Sequence, residues 1–285
     1  MTKGRFAPTP SGDLHLGNVR TAIVAWLHAR ATGGSIQLRI DDLDVERCRE
    51  EVEYRQLEDL AWIGLTWDGE TIRQSERGDR YRAALAQLEA AGLTYPCFCS
   101  RAEIRAAASA PHGDAGPAYP GTCRRLDRGE ADARIAAGER HALRLAVPAG
   151  VERFDDFVHG PVAIDVRATA GDLVLVRSDG AIGYQLACAV DDAQPEMTHV
   201  VRGDDLLPSA ACQRLIMRLL DREPPAYGHV PLMLGDDGAR LAKRHGAITL
   251  REQRDAGRDP EEIVGMLAGM FGMGDGSPAP LDALL

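Results

Sequence analysis

Pro8-Thr9-Pro10-Ser11-Gly12-Asp13-Leu14-His15-Leu16-Gly17-Asn18 separates two differently patterned stretches of this chain. Ahead of it, Gly4 to Ala7 reads as the edge of a short strand. Behind it, Val19, Ala22, Ile23, Trp26 and Leu27 recur at helical spacing, which predicts a helix from near Gly17 to about Ala31. Gly33-Gly34 stops that helix, and Ser35-Ile36-Gln37-Leu38-Arg39-Ile40 alternates polar and apolar as a strand does. Strand, glycine-bearing turn, helix and strand make a βαβ unit, which implies a parallel sheet and an α/β fold. A helix that starts just after a strand presents unpaired N–H groups and the positive end of its dipole, a setting suited to phosphate. Gly17 leaves space for a flat ring such as adenine, His15 can donate to a phosphate, and the two prolines stiffen the approach. An isolated His-x-Gly more often does no more than cap a helix.

Further along, helical patterns are expected at roughly 46–63, 77–92 and 209–220, and from about Ile248 through Met270. Alternating segments fall at 173–177 and 198–202, and Pro231-Leu232-Met233-Leu234 is an apolar run that ends in the turn Gly235-Asp236-Asp237-Gly238. The stretch 96–140 differs in composition and, with strand-like pieces near 141–165, reads as an insertion into the α/β core. The expected division is 1–95 and 169–238 for two halves of a nucleotide-binding core, 96–168 for the insertion, and 239–285 for a basic loop and helical tail. With 285 residues the chain can bury a sizeable core, and scarce aromatics leave the packing to aliphatic side chains. No stretch approaches the roughly 20 apolar residues of a membrane span, and no apolar signal region opens the chain, so a cytoplasmic location and no membrane partner are expected. A net charge of −10 argues against indiscriminate coating of nucleic acid but leaves room for a specific RNA.

Two further groups of residues carry chemistry. Arg240-Leu241-Ala242-Lys243-Arg244-His245-Gly246 concentrates cations after a strand and a glycine-rich turn, and such a loop can bring a lysine onto a triphosphate. Most charge runs of this kind are only solvated turns. Cys97-x-Cys99 and Cys123 supply three thiolates, one short of a tetrahedral zinc site, with His112, Asp114 and Tyr119 as candidates for the fourth place. General zinc chemistry favours His112; spare thiols are the plain alternative. Cys48, Cys188 and Cys212 sit in apolar or helical contexts and read as buried.

Arg5 to Gly12, followed by Leu14-His15-Leu16-Gly17-Asn18, resembles the opening of glutamyl-tRNA synthetases, with His15 to Asn18 in the place of their HIGH signature. The resemblance implies a class I aminoacyl-tRNA synthetase core of Rossmann-like type. ATP, with Mg2+, would then be bound by His15, Gly17, Asn18, Arg240 and Lys243, and His15 and Lys243 would serve catalysis. The basic loop looks like the KMSKS loop of that class, with Arg240 for the first lysine and Ala242 for the usual serine. A glutamate pocket should mix arginines with an acid. Arg5 and Arg202, at strand ends, are the expected readers of the substrate carboxylates, and Tyr184 a hydroxyl donor. The run from Tyr184 to Asp205 is similar to the glutamyl enzymes' pattern, and the resemblance adds Ala7 and Thr9 to the glutamate site. It also carries the ammonium-binding acid to Asp41, an aspartate where that family usually has glutamate, so that its carboxylate is expected to reach through water. Asp44 is expected to cap the helix that follows.

Tyr95 to Arg101 and Tyr119 to Arg124 look like the zinc segment of glutamyl-queuosine tRNA(Asp) synthetases, a resemblance that implies Tyr119 as the fourth ligand of a structural zinc. About 40 residues follow Gly246, fewer than the ~100 of an ordinary additional domain, so the anticodon-reading domain of full glutamyl-tRNA synthetases is expected to be missing. That plan resembles the queuosine branch and implies glutamate activation by ATP without tRNA, then transfer to queuosine of tRNA(Asp), by a monomer. A fragment of a glutamyl-tRNA synthetase and a non-catalytic relative are the alternatives.

Overall fold

The computed structural model describes residues 1–100, 102–104, 118–233 and 249–285. Strand β1 (Lys3–Phe6) leads through the proline-rich turn into helix α1 (Leu16–Ala31), and β2 (Ser35–Ile40) returns parallel to β1, with Lys3 opposite Ser35 and Phe6 opposite Leu38. Gly33 turns the chain out of the helix at a positive φ of 64°, a conformation glycine adopts without steric cost. At Gly34 a Cβ would overlap the Thr2 carbonyl oxygen, which accepts the Ser35 N–H at 2.9 Å and starts the β1–β2 ladder. Alternation then sorts the strand residues by face. Ile36, Leu38 and Ile40 join Val19, Ile23 and Trp26 of α1 in one buried apolar cluster, while Arg39 is turned to the opposite face.

Helix α2 (Glu50–Trp62) and β3 (Ile72–Arg73), parallel to β2, complete the first sheet, and α3 (Gly78–Ala90) follows. A second, antiparallel sheet combines β4 (Thr94–Cys97), β5 (Ala142–Leu145) and β8 (Leu173–Val176), with α4 (Arg128–Ala136) preceding β5. Between them β6 (Glu152–Asp156) and β7 (Gly160–Ile164) form a hairpin. Helix α5 (Tyr184–Asp192), β9 (His199–Gly203), α6 (Leu207–Leu219) and β10 (Ala226–Val230) build another α/β unit, with β9 parallel to β10 and Arg202 opposite His229. Strand β6 pairs with β10 through Asp156 and Tyr227, so the stretch expected as one insertion shares its strands between two sheets.

Strands β1 and β9 lie side by side. The Lys3 N–H donates to Thr198 Oγ1 at 2.7 Å, and the Thr198 N–H returns to the Lys3 carbonyl at 3.0 Å. The parallel strands thus run β3-β2-β1 and then β9-β10, and the direction in which the chain builds the sheet reverses between β1 and β9. Ligands of open α/β sheets bind outside the carboxyl ends of the strands at such a reversal.

Several expectations shift. The tail is two helices, α7 (Leu250–Asp255) and α8 (Pro260–Gly269), because Gly257 takes φ of 74° and Asp259 caps a new start; Ile248 lies outside the described residues. Asp44 does not cap α2, which begins at Glu50 behind Arg49; its carbonyl instead accepts the Arg47 and Cys48 N–H groups in a turn of its own. Cys48 is only half-buried, whereas Cys188 and Cys212 are buried as expected. The apolar run Pro231–Met233 stands past the end of β10, where Pro231 has no N–H to give a ladder. No helix among the described residues is long and apolar enough to cross a membrane.

Replacing Gly34 with alanine is expected to force β1 and β2 apart and to destabilise the chain by about 1–3 kcal/mol. Urea denaturation of Gly34→Ala beside the parent protein measures it; an unchanged midpoint would show that the strand start is not so constrained.

Candidate active site

The reversal between β1 and β9 holds a knot of buried charge. Asp192, at the last position of α5, accepts hydrogen bonds from Arg5 Nε at 3.2 Å, Arg5 Nη2 at 3.1 Å and Arg39 Nη1 at 2.6 Å. Burial alone would raise its pKa, but the two guanidiniums win and hold the carboxyl well below the usual range. Arg39 turns its other edge to Asp41, with Nε at 2.6 Å and Nη2 at 3.2 Å from the two carboxylate oxygens. The Asp41 N–H donates to the Pro8 carbonyl at 2.9 Å, which ties the end of β2 to the proline-rich turn.

Tyr184 opens α5, and its ring is 44% exposed although its helix packs inward. Desolvation pushes the phenol's pKa up, and Cys188, one turn further along α5, has its thiol 3.9 Å from Asp41 Oδ2. Hydrogen bonds link Arg5 on β1 to Asp41 past the end of β2 through Asp192 and Arg39, and Arg5 Nη1 donates to the Val201 carbonyl, next to Arg202 on β9. Arg202 is 4% exposed; its Nε donates to His229 Nε2 at 3.1 Å and its Nη1 to Gln213 Oε1 at 2.8 Å. Its Nη2 is buried with no hydrogen-bond partner among the described residues. Arg5, by contrast, is engaged by Asp192 and by the Val201 carbonyl at 3.3 Å. Ala7 is half-buried and Thr9 exposed, directly after β1.

The Thr9 and Gly12 carbonyls both accept from Gln56 Nε2, at 3.0 and 2.7 Å, so a buried amide on α2 shapes the turn into α1. At the amino end of α1, His15 is the capping residue by backbone alone. Its carbonyl accepts the Asn18 and Val19 N–H groups at 2.8 and 3.0 Å, and its imidazole makes no capping bond. Packing does not require glycine at position 17, where a Cβ would only touch Met233 Cβ at 3.9 Å. Arg240 and Lys243 lie outside the described residues, as do His112 and Asp114. The described residues on either side of 234–248 both sit at this helix end, Met233 beside Gly17 and Thr249 paired with His15.

Away from these residues, the thiols of Cys97, Cys99 and Cys123 lie within 4.8 Å of one another and form a group that could hold a metal ion. Tyr119 Oη stands 3.3 Å from Cys97 Sγ and 3.7 Å from Cys99 Sγ, and it accepts the Cys123 N–H at 2.8 Å. Gly171 makes the approach possible, because a Cβ there would overlap the Tyr119 backbone. Burial pushes the Cys99 thiol up to about 11. For Cys123 burial pulls the same way, but hydrogen bonds led by the Phe98 N–H hold it below its ordinary value.

Residues 1–277 match the family profile described as tRNA synthetases class I (E and Q), catalytic domain. The chain belongs to this family. A glutamyl-Q tRNA(Asp) synthetase of Symbiobacterium thermophilum is 54% identical to it over 291 residues, 99% of this chain and 90% of that protein. A glutamate--tRNA ligase of a Hydrogenobaculum species is 40% identical over 94% of the chain, which spans 58% of that ligase. The crystal structure of a glutamate tRNA ligase from Elizabethkingia meningosepticum, in complex with its amino acid, superposes with a TM-score of 0.85 at 28% identity, covering 99% of this chain and 64% of that one. Membership in the class I (E and Q) synthetases implies ATP, glutamate and a tRNA as the molecules to be accommodated.

Sequence reasoning passed over Arg39, Gln56, Asp156, Asp192, Gln213 and His229. Arg39 is legible in principle, since alternation sets it on the face opposite Ile40, and Asp192 lies within the run from Tyr184 to Asp205. The others carry no local signal.

His229 titrates in a way that stability should report. Burial and the neighbouring Arg202 charge lower its pKa from 6.5 to about 4. The unfolded chain therefore binds the extra proton between about pH 6.5 and 4, and folding stability should fall as pH drops through that window, by at most about 3 kcal/mol. Urea denaturation at pH 7 and 4.5 checks this, with His229→Gln expected to lose part of the slope; identical slopes would contradict it.

Proposed function

We propose that this chain activates L-glutamate with ATP, without tRNA, and then transfers the glutamyl group to queuosine at the wobble position of tRNA(Asp). The single observation that carries the amino-acid half is Arg202 Nη2, buried with no hydrogen-bond partner among the described residues, on the strand beside the linked set Arg5, Asp192, Arg39 and Asp41. Identity of 54% to a glutamyl-Q tRNA(Asp) synthetase along nearly the full length of both chains supports the acceptor. Arg202 would take one substrate carboxylate at full charge and Arg5, already paired with Asp192, would meet the other more weakly, with Asp41 taking the ammonium and Tyr184, Ala7 and Thr9 lining the pocket. Asp41 enters this role already tied to Arg39, which fixes its carboxylate.

The reaction asks the protein chiefly for positioning and charge. The glutamate α-carboxylate attacks the α-phosphate in line and pyrophosphate leaves. His15, at the α1 amino end with Gly17 and Asn18, and Lys243 with Arg240 on the basic loop, would bind ATP and neutralise the charge that builds on the phosphates, with Mg2+ accompanying the triphosphate. A queuosine hydroxyl then attacks the adenylate carbonyl, forming an ester and releasing AMP. Ala242, lacking the usual hydroxyl, leaves the ordering of that loop to other contacts.

For the cysteine cluster we propose zinc. Three thiols and a phenolic oxygen converging on one point suit a closed tetrahedral site, and Cys97, Cys99, Tyr119 and Cys123 would hold the ion. Such an ion would tie β4 to the segment around Tyr119 and take no part in the chemistry.

Glutamate, ATP and labelled pyrophosphate, incubated without tRNA, should give exchange, and transfer should then require tRNA(Asp) bearing queuosine. Exchange only with tRNA(Glu) present would favour the glutamate--tRNA ligase activity instead, and no exchange at all a binding protein. Lys243→Ala is expected to slow adenylate formation at least tenfold with glutamate affinity near normal, and Arg202→Ala to raise the glutamate KM by a similar factor. Full activity in both would place the site elsewhere. A chelator should lower the melting temperature before it affects glutamate binding; an unaltered melting curve would count against zinc.

A further inference from the structure

Arg5 and Arg39 spend their charge inside the protein, both on Asp192 and Arg39 also on Asp41. Arg202 differs. Its hydrogen-bond partners among the described residues are neutral: the imidazole of His229 and the amide of Gln213. We infer that Asp156 and His229, with Gln213, are positioning residues that fix the Arg202 guanidinium without cancelling its charge, and so make the pocket select a carboxylate over an amide.

The polarity of the relay follows from counting donors. Asp156, buried at the end of β6, accepts the Val158, His159 and His229 N–H groups at 3.0, 2.9 and 3.2 Å. Its second oxygen lies 2.6 Å from His229 Nδ1, so Nδ1 must carry the proton. Nε2 is then a lone pair, the only form that can accept from Arg202 Nε. The other side is set in the same manner. Gln213 Nε2 donates to Gln185 Oε1 at 3.1 Å, and Gln185 Nε2 donates to Ser209 Oγ at 3.1 Å, which orients the Gln213 carbonyl toward Arg202 Nη1. Two nitrogens of the guanidinium are thereby clamped and the third, Nη2, is left buried without an acceptor among the described residues. A buried donor in that state calls for an acceptor from a ligand, and an uncancelled guanidinium favours an anionic one. A substrate amide would present a neutral oxygen or its own donors and gain far less.

This inference rests on the reading of the cluster as an amino-acid site, and calorimetric binding of glutamate and glutamine to the full chain separates the two. His229→Asn keeps a donor toward Asp156 but cannot reach Arg202; His229→Gln places an acceptor near the Nε2 position. The expectation is about a tenfold loss of glutamate affinity in His229→Asn, with ATP affinity unchanged, and recovery to within about threefold in His229→Gln. Gln213→Glu, which adds an internal ion pair and so should not unfold the chain, is expected to lower the preference for glutamate over glutamine by about tenfold. Glutamate binding unchanged in His229→Asn together with an unchanged preference in Gln213→Glu would overturn the positioning role. Equal losses in His229→Asn and His229→Gln would also overturn it, as a merely structural effect. A parent protein that binds glutamate but supports no pyrophosphate exchange would refute the proposed activity while leaving the variants to decide this point; one that binds no glutamate would refute both.

Discussion

The Asp192 carboxylate, fully buried, takes a bidentate hand from Arg5 and a third bond from Arg39. Its two partners come from β1 and β2 and the acid itself from the end of α5, so one side chain joins both halves of the α/β core where their strands meet. Burying an unpaired charge costs far more than a surface ion pair returns, and removal of one member of such a set leaves the others stranded. The two guanidiniums and the acid are thus mutually obligatory. That obligation fixes the depth at which Arg39 can present its other edge to Asp41.

Two arginine strategies follow from this arrangement. Arg5 and Arg39 are held by carboxylates and supply shape, while Arg202 is held by neutral acceptors and keeps its field. Among groups buried this deeply the difference is large, because a guanidinium already paired attracts a further anion weakly. The β6–β7 hairpin is what makes the second strategy possible. It brings Asp156 beside β10 in the same sheet, and His229 converts that acid into an oriented lone pair instead of a competing charge.

The cysteine cluster is organised by a different acid. Asp172, buried just before β8, accepts the Tyr95 hydroxyl at 2.6 Å, the Arg124 guanidinium at 2.9 Å and the Val147 N–H at 2.8 Å. These contacts lock β4 and the turn after Tyr119 against the antiparallel sheet, and Arg144 lies 3.8 Å over the Tyr119 ring. Three thiols and the Tyr119 hydroxyl are thus brought together largely by hydrogen bonds, in a group whose cysteines could hold a metal ion.

The linear sequence determined the elements whose cause is local. Alternation gave β2 its bounds, Ser35 to Ile40, and helical spacing with Gly33 gave α1 its end; the family motifs marked Arg5, His15, Asp41, Tyr184 and Arg202 because those residues sit in recognisable strings. The chain's own pattern also marked the three cysteines. What only the tertiary structure decided is who neutralises whom. Asp156 and His229 are 73 residues apart, Gln213 and Gln185 are 28 apart, and Asp192 and Arg39 are 153 apart, distances at which no periodicity or propensity operates. Likewise β10 went unread because Ala226-Tyr227-Gly228-His229-Val230 is weakly patterned and becomes a strand by pairing with β9 and β6. Charge pairing and strand register are properties of neighbours in space, and a sequence names the neighbours only along the chain.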